Sequence, residues 1–396
     1  MFYLIIFIII VFFAILEVLN LEKEISQYFP WIVLFILLCV AGFRYETGVD
    51  WRIYASMFQT TATIDEITTP LGREQIFSTP DYNYCLLISI IKYFGGSIQT
   101  VFFVVSLITY IFLYKSLVFF SDGKTTSLLI YFSLLFFVLD MSGMRQSLAL
   151  SMFFYSIRYI YDRNLLKFIL LIMLAASFHW SAYLLLCLYF IIGRHFSTKV
   201  LVLFFVTSLM IYLLRISWFN IFIDKIAPFL GDLVFATKLL FYSRNETAEA
   251  GRALNLNTIL NIFFYISTLS LLLYFRPQLE KNSKYFNIFL NIYICQIFTF
   301  FCLFEFAEMS ERLRLYLMLG NIIVLPSLIF LFYLNAERIL IFVYVLAFSF
   351  FSCRPYILNA PTTISYYPYQ NYIIYETFHL QSTGEQRLNE QAELNE

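Results

Sequence analysis

Long stretches of this chain carry almost no charge. Between residues 98 and 120, IQTVFFVVSLITYIFLYKSLVFF holds one lysine and no acid. A helix crossing a hydrocarbon core about 30 Å thick needs about 20 largely apolar residues. Runs of this kind recur at 3–20, 30–43, 98–120, 125–140, 144–161, 164–178, 180–193, 198–215, 257–275, 285–304, 313–333 and 338–353. The pattern predicts an all-α polytopic integral membrane protein with about twelve transmembrane helices. A shorter apolar segment at 82–94 predicts a re-entrant or interfacial helix. Residues 164–193 hold no Pro and no Gly before Gly193, so they fit either a hairpin or one long helix.

Composition supports the membrane reading. Charged residues make up 13% of the chain, too few to cover a water-facing surface, where about 25% is usual. The balance of charges is zero, which argues against a nucleic-acid partner, since phosphates call for a basic surface. The cysteines stand singly in apolar runs without a C-x-x-C pair, so neither disulfides nor a zinc site is expected. The apolar N-terminus lacks a basic n-region and a small-residue cleavage site, and reads as a retained span.

Charges between the runs give an orientation. One set of loops consists mostly of short hairpins and holds seven Lys and five Arg; the opposite set holds three Lys and eleven Arg. Short positive loops face the cytoplasm, which places both termini and the longer loops at 44–97 and 216–256 outside. The chain then reads as a single transmembrane helical domain over 1–378, followed by a polar, disordered tail at 379–396. Asn245 heads a glycosylation-type sequon in the second outer loop. Arg is the residue for bidentate contacts with carboxylate and phosphate oxygens, so an outer face rich in Arg suggests an anionic ligand. The plainer alternative is that these arginines pair with acids at helix ends.

Four outer turns carry polar groups. GFRYETGVDWRIY, at 42–54, sets Arg44, Glu46, Asp50, Arg52 and Tyr54 where an apolar run ends. In DMSGMRQS, Arg145 and Gln146 begin a span, and in SFHWSA His179 sits between two apolar stretches. EFAEMSERLRLY holds Glu305, Glu308, Glu311, Arg312 and Arg314, with Glu308 and Arg312 spaced to pair on a helix face. Ionisable groups in membrane segments are expensive and mark function by default, although a histidine at a helix break is more often structural than catalytic.

No G-x-x-x-x-G-K-[ST] or G-x-G-x-x-G cradle is present, and no G-x-S-x-G elbow. Without a nucleotide site, a synthetic enzyme needs a substrate with its own leaving group, and a lipid-linked diphosphate sugar supplies one. At this point the chain resembles the EpsG family, polysaccharide polymerases grouped with the Wzy-type O-antigen polymerases. The resemblance lies in FRYETGVDWRIY, MRQSLAL, ASFHWSA, SERLRLY and YYPYQNY, in that order. It implies a GT-C-like membrane enzyme of the bacterial inner membrane that joins oligosaccharide repeat units carried on undecaprenyl diphosphate, at the outer face. Its partners would be that lipid-linked oligosaccharide, membrane lipid and a chain-length regulator protein; neither cofactor nor metal is expected. Matched positions are Arg44, Gly48, Asp50, Tyr54, Arg145, Gln146, His179 and Arg312. On this reading Arg145 with His179 or Asp50 does the chemistry, and Arg44, Arg52, Arg312, Arg314, Tyr54 and Gln146 hold diphosphate. An O-antigen ligase, moving glycan onto a lipid core or protein, would use the same arginines. A flippase for lipid-linked oligosaccharide would need charges deep in central spans and repeated halves.

Overall fold

The structure is a computed structural model and describes residues 1–20, 23–218, 221, 225, 255–304, 307–358 and 360–393. Most of the 216–256 loop, its Asn245 sequon and Glu305 therefore lie outside the described residues. Among those described, regular structure is helical, and the one β feature is an isolated bridge between Arg44 and Asn371. Five helices are long and apolar enough to cross a membrane: Glu24–Gly42, Ile98–Phe120, Leu256–Tyr274, Ser310–Phe330 and Asn335–Ile357. Shorter apolar helices include Phe2–Val18, Leu165–Phe178, Thr198–Leu213 and Phe286–Cys302. The segment expected at 82–94 is the helix Tyr82–Tyr93.

The outward faces of these helices are as apolar as the inward ones. On Phe2–Val18, the residues Tyr3, Ile6, Phe7, Ile10, Ala14 and Val18 are buried at helical spacing, while Phe2, Ile5, Ile8 and Phe12 are exposed. A helix apolar all round belongs in a core or in lipid, and here the exposed stripe is suited to lipid. The chain is an all-α membrane protein.

Two compact units divide the chain: Met1–Tyr189 with Leu325–Glu396, and Phe190–Val324. In the first, the helix Ile98–Phe120 packs between Phe29–Gly42 and Met144–Tyr161, and the latter packs on Leu165–Phe178. Phe2–Val18 lies against Lys124–Tyr131 and Asn335–Ile357. Lys124–Tyr131 continues as a π-helical stretch, Phe132–Asp140, whose Phe137 ring stacks on Tyr356 at 4.3 Å. At one end of this unit Glu17 caps the helix beginning at Lys124, accepting the N–H groups of Thr125 (2.9 Å) and Thr126 (2.8 Å). A carboxylate at a helix N-terminus satisfies orphan donors and suits the dipole. Arg44, Asp50, Arg52, Tyr54, Arg145, Gln146 and His179 lie in this same unit.

The second unit is built on Phe286–Cys302, which packs against Thr198–Leu213 and Ala307–Leu317. A Cβ on Gly320 would fall 2.8 Å from the Tyr293 backbone nitrogen, so only glycine permits this close approach. Arg276 ties the loops of this unit together through Glu280 (2.6 Å), Thr198 (3.2 Å), Asn287 (3.1 Å) and the Phe196 carbonyl (2.8 Å).

One open alternative closes and one expectation changes. Residues 164–193 are not one long helix: Leu165–Phe178 stops at His179, whose backbone is extended (φ −153°, ψ 110°), and a 3₁₀ helix begins at Trp180. The polar tail is not disordered throughout, for it contains the helix Gly384–Glu393. Arg387 anchors that helix; it is buried and bonds Gln370 and the carbonyls of Ser382 (3.0 Å) and Tyr45 (3.0 Å).

Candidate functional site

The stretch at 42–54 folds into a turn that locks three distant segments together. Gly48 has φ +104°, and a Cβ there would lie 1.9 Å from the Met141 carbonyl oxygen. Both the dihedral and the approach require glycine. The Gly48 N–H donates to the Ser365 carbonyl (2.9 Å), and the Val49 N–H donates to Ser142 Oγ (3.0 Å). Ser142 Oγ in turn meets the Tyr366 hydroxyl at 2.8 Å. The Tyr45 N–H donates to the Gln370 carbonyl (2.9 Å). The motifs GFRYETGVD, DMSG and YYPYQNY, far apart in the chain, thus form one hydrogen-bonded block.

Arg44 is inside this block. Its guanidinium stacks 4.1 Å over Phe102, and Nη1 donates to the carbonyls of Ala41 (2.7 Å) and Asp140 (2.9 Å). The side chain is fully buried. A ligand outside the fold has no access to it, so the geometry assigns Arg44 to the block rather than to diphosphate. Beside it, the Asp140 carboxylate accepts the hydroxyls of Tyr110 (2.8 Å), Tyr131 (2.8 Å) and Ser147.

A second cluster joins the turns at Asp81, Arg145 and His179. Asp81 precedes the helix Tyr82–Tyr93 but does not cap it. Its Oδ1 accepts the Trp180 N–H at 3.0 Å, satisfying the first turn of the 3₁₀ helix. The bond across helices caps the backbone where the helix breaks at His179. Its Oδ2 takes Arg145 Nη1 at 2.5 Å and lies 3.8 Å from His179 Nδ1. The second distance is too long for a hydrogen bond, yet close enough for charges to act. Burial alone would raise the Asp81 pKa, but His179, the Arg145 guanidinium and the Trp180 N–H outweigh it and hold the carboxyl below its ordinary value.

Arg145 stands in the first turn of Met144–Tyr161, where the helix dipole opposes a cation and Asp81 offsets that cost. Its guanidinium lies over the rings of Tyr54 (5.7 Å) and Tyr84 (5.9 Å), and a quarter of its side chain (24%) remains accessible. Buried atoms around it lack partners among the described residues: Arg145 Nε, the Tyr84 hydroxyl and both ring nitrogens of His179. His179 is only 6% exposed. Buried polar atoms are nearly always bonded, so several orphans about one point call for an explanation.

The remaining candidates fall in different places. Tyr54 is buried between the two clusters, 5.8 Å from the Tyr84 ring and 6.3 Å from that of Phe102. Gln146 is buried beside Arg145. Asp50 is half-buried at the start of Trp51–Thr60. Arg52 is exposed and pairs at 3.5 Å with Glu385 of the tail helix. Arg312 and Arg314 belong to the second unit, where Arg314 lies 5.5 Å over Phe300 and 4.0 Å from Glu311. The expected Glu308–Arg312 pair lies outside the described side chains. Asp81 and Asp140 were missed by sequence reasoning. Asp140 carried a signal, an acid closing the apolar run LLIYFSLLFFVLD; Asp81, in the polar stretch STPDYNY, carried none.

The profile of the EpsG family matches residues 27–371, from the first long span to the YYPYQNY segment. The chain belongs to the EpsG family. Members of that family are Wzy-like polymerases, which makes this a membrane protein of the polysaccharide-polymerase, glycosyltransferase-like type. Among curated proteins and solved structures, none matches the chain. The matched region takes in both aspartate clusters. Chemically, the Asp81 cluster offers a partly accessible cation for developing negative charge and, beside it, a buried imidazole whose nitrogens lack hydrogen-bond partners.

Proposed function

We propose that this EpsG-family protein polymerises lipid-diphosphate-linked oligosaccharide repeat units into O-antigen or a related surface polysaccharide. It would do so with undecaprenyl diphosphate as carrier, in the bacterial inner membrane at its outer face, using about twelve spans in a GT-C-like arrangement. The growing glycan passes from its lipid diphosphate to the non-reducing end of a new lipid-linked repeat. What carries this reading within the family is the set of unpartnered polar atoms around Arg145 and His179. Arg145 suits the diphosphate: it is partly accessible, and it opens a helix whose N-terminus itself favours anions. As the bond from sugar to diphosphate breaks, negative charge grows on the leaving oxygen, and a fixed guanidinium stabilises it. His179 serves as the base for the acceptor hydroxyl.

The test is the glycan pattern of cells lacking the gene, compared with cells in which it is restored. The expected result is lipid carrying a single repeat unit in the deletion and a ladder on restoration. Complete loss of surface glycan would indicate a flippase or a ligase instead. An unchanged ladder would remove the polysaccharide reading.

A further inference from the structure

Two oxygens of one carboxylate address consecutive residues of the histidine turn. Asp81 Oδ1 holds the Trp180 N–H, while Oδ2 faces His179 Nδ1 across 3.8 Å and is occupied by Arg145 Nη1 at 2.5 Å. Closing the gap to an ordinary N–H···O distance of about 2.9 Å needs a movement of about 1 Å. The Trp180 bond fixes the carboxylate while its second oxygen changes partner. We infer that Asp81 is a positioning residue shared between Arg145 and His179, and that a diphosphate drawing Arg145 away frees Oδ2 to accept the Nδ1–H of His179. This rests on the diphosphate reading proposed above.

The exchange couples binding to base strength. With Arg145 on Asp81, the carboxylate is neutralised and the imidazole has no anchor. When Arg145 turns to phosphate oxygens, Asp81 fixes the tautomer with hydrogen on Nδ1, leaves the Nε2 lone pair for the acceptor, and stabilises the imidazolium that follows. In the transfer, the acceptor hydroxyl oxygen bonds to the anomeric carbon. The bond from that carbon to the diphosphate oxygen breaks, its electron pair leaving with the diphosphate, and the hydroxyl proton passes to Nε2. An acceptor arriving before a donor meets a base that is not yet oriented.

The chain has three histidines, so His195→Asn with His379→Asn leaves His179 as the sole imidazole. That variant, labelled with ¹⁵N-histidine and held in lipid nanodiscs, is titrated with farnesyl diphosphate while binding is followed by radiolabel. The expected result is a low-field Nδ1 proton resonance that grows with bound probe and is lost in Asp81→Asn. Arg145→Gln supplies an independent reading, since removing the competitor gives the same resonance without probe. Binding with no new resonance, or a resonance that survives Asp81→Asn, overturns the exchange and leaves the diphosphate reading standing. So does a silent spectrum in Arg145→Gln. Failure of the probe to bind at all sinks the diphosphate reading, and the exchange with it.

Discussion

Asp140 and Asp81 lie in the same unit, each beside an arginine from a family-matched motif, yet their surroundings differ in kind. Asp140 is buried with three hydroxyl donors on its carboxylate, from Tyr110, Tyr131 and Ser147, while Arg44 bonds the backbone carbonyl of the same residue. Asp81 has one backbone N–H, one guanidinium nitrogen and one imidazole held just short of bonding. A carboxylate saturated by neutral donors, with no path to a ligand, is part of the scaffold. One shared among ionisable partners, one of them accessible and another unpartnered, has something left to exchange. Fully satisfied buried polar networks rigidify a core, and an unpaired buried polar group is costly.

The largest effect expected from this contrast is on folding. Asp140→Ala strands three buried hydroxyls, and each buried polar group left unsatisfied costs about 1–3 kcal/mol. Thermal unfolding of the purified variant in detergent should show the loss, and a native-like midpoint would break the assignment of Asp140 to the scaffold. Arg145→Ala should behave in the opposite way. Asp81 keeps the Trp180 N–H and gains access to His179, so stability falls less, while removal of a donor to the developing charge costs about 10²–10³-fold in rate. Polymerisation assayed with purified protein and lipid-linked repeat units checks this; an active Arg145→Ala would move the chemistry elsewhere.

Much of the scaffold could be read from sequence, because lipid imposes long apolar runs whose ends are sharp. Ile98–Phe120 and Met144–Tyr161 start and stop where their runs do. Arg145 and His179 were likewise visible as polar residues where none is cheap. Their meeting point was not, because Asp81 lies 64 residues from Arg145 and in a polar stretch where an acid costs nothing. The apparent surplus of arginines was harder still to interpret. Arg44, Arg52 and Arg387 have partners inside the fold or on the tail helix, contacts that only tertiary structure supplies. Arg and Lys counts record charge by side of the membrane; they do not record which charges are already satisfied.

The Gly48 turn meets Met141 and Ser142, in the segment that joins Asp140 to Arg145, and its substitution tests whether the two clusters are mechanically joined. Gly48→Ala imposes a left-handed residue, which costs about 1–3 kcal/mol, and adds to it a collision with the Met141 carbonyl. If the turn also registers Asp140 against Arg145, activity should fall further than stability alone explains. A variant with normal rate and reduced stability would make the turn purely a clasp. Acidification probes Asp81 more gently. Its pKa is lowered in the folded protein, so its contribution to stability is full above the ordinary carboxylate range and vanishes as pH falls through the folded value. The difference in unfolding midpoint between the native protein and Asp81→Asn should therefore shrink from about pH 6 towards about pH 3. A difference that grows on acidification would mean that His179 and Arg145 do not hold the carboxylate charged.

The smallest effect is expected at Arg52, the one arginine of the opening motif that lies outside both clusters. Its partner Glu385 is exposed, as Arg52 itself is, and the pair spans 3.5 Å. Exposed pairs of this kind contribute under about 1 kcal/mol and weaken with salt. Arg52→Ala should accordingly leave the unfolding midpoint almost unchanged, and Glu385→Ala should match it. The two substitutions diverge if Arg52 also takes diphosphate, because only its loss would then weaken binding of farnesyl diphosphate. Equal and small effects from both would confine anion recognition to Arg145 among the arginines of the first two motifs, since Arg44 is sealed within the fold.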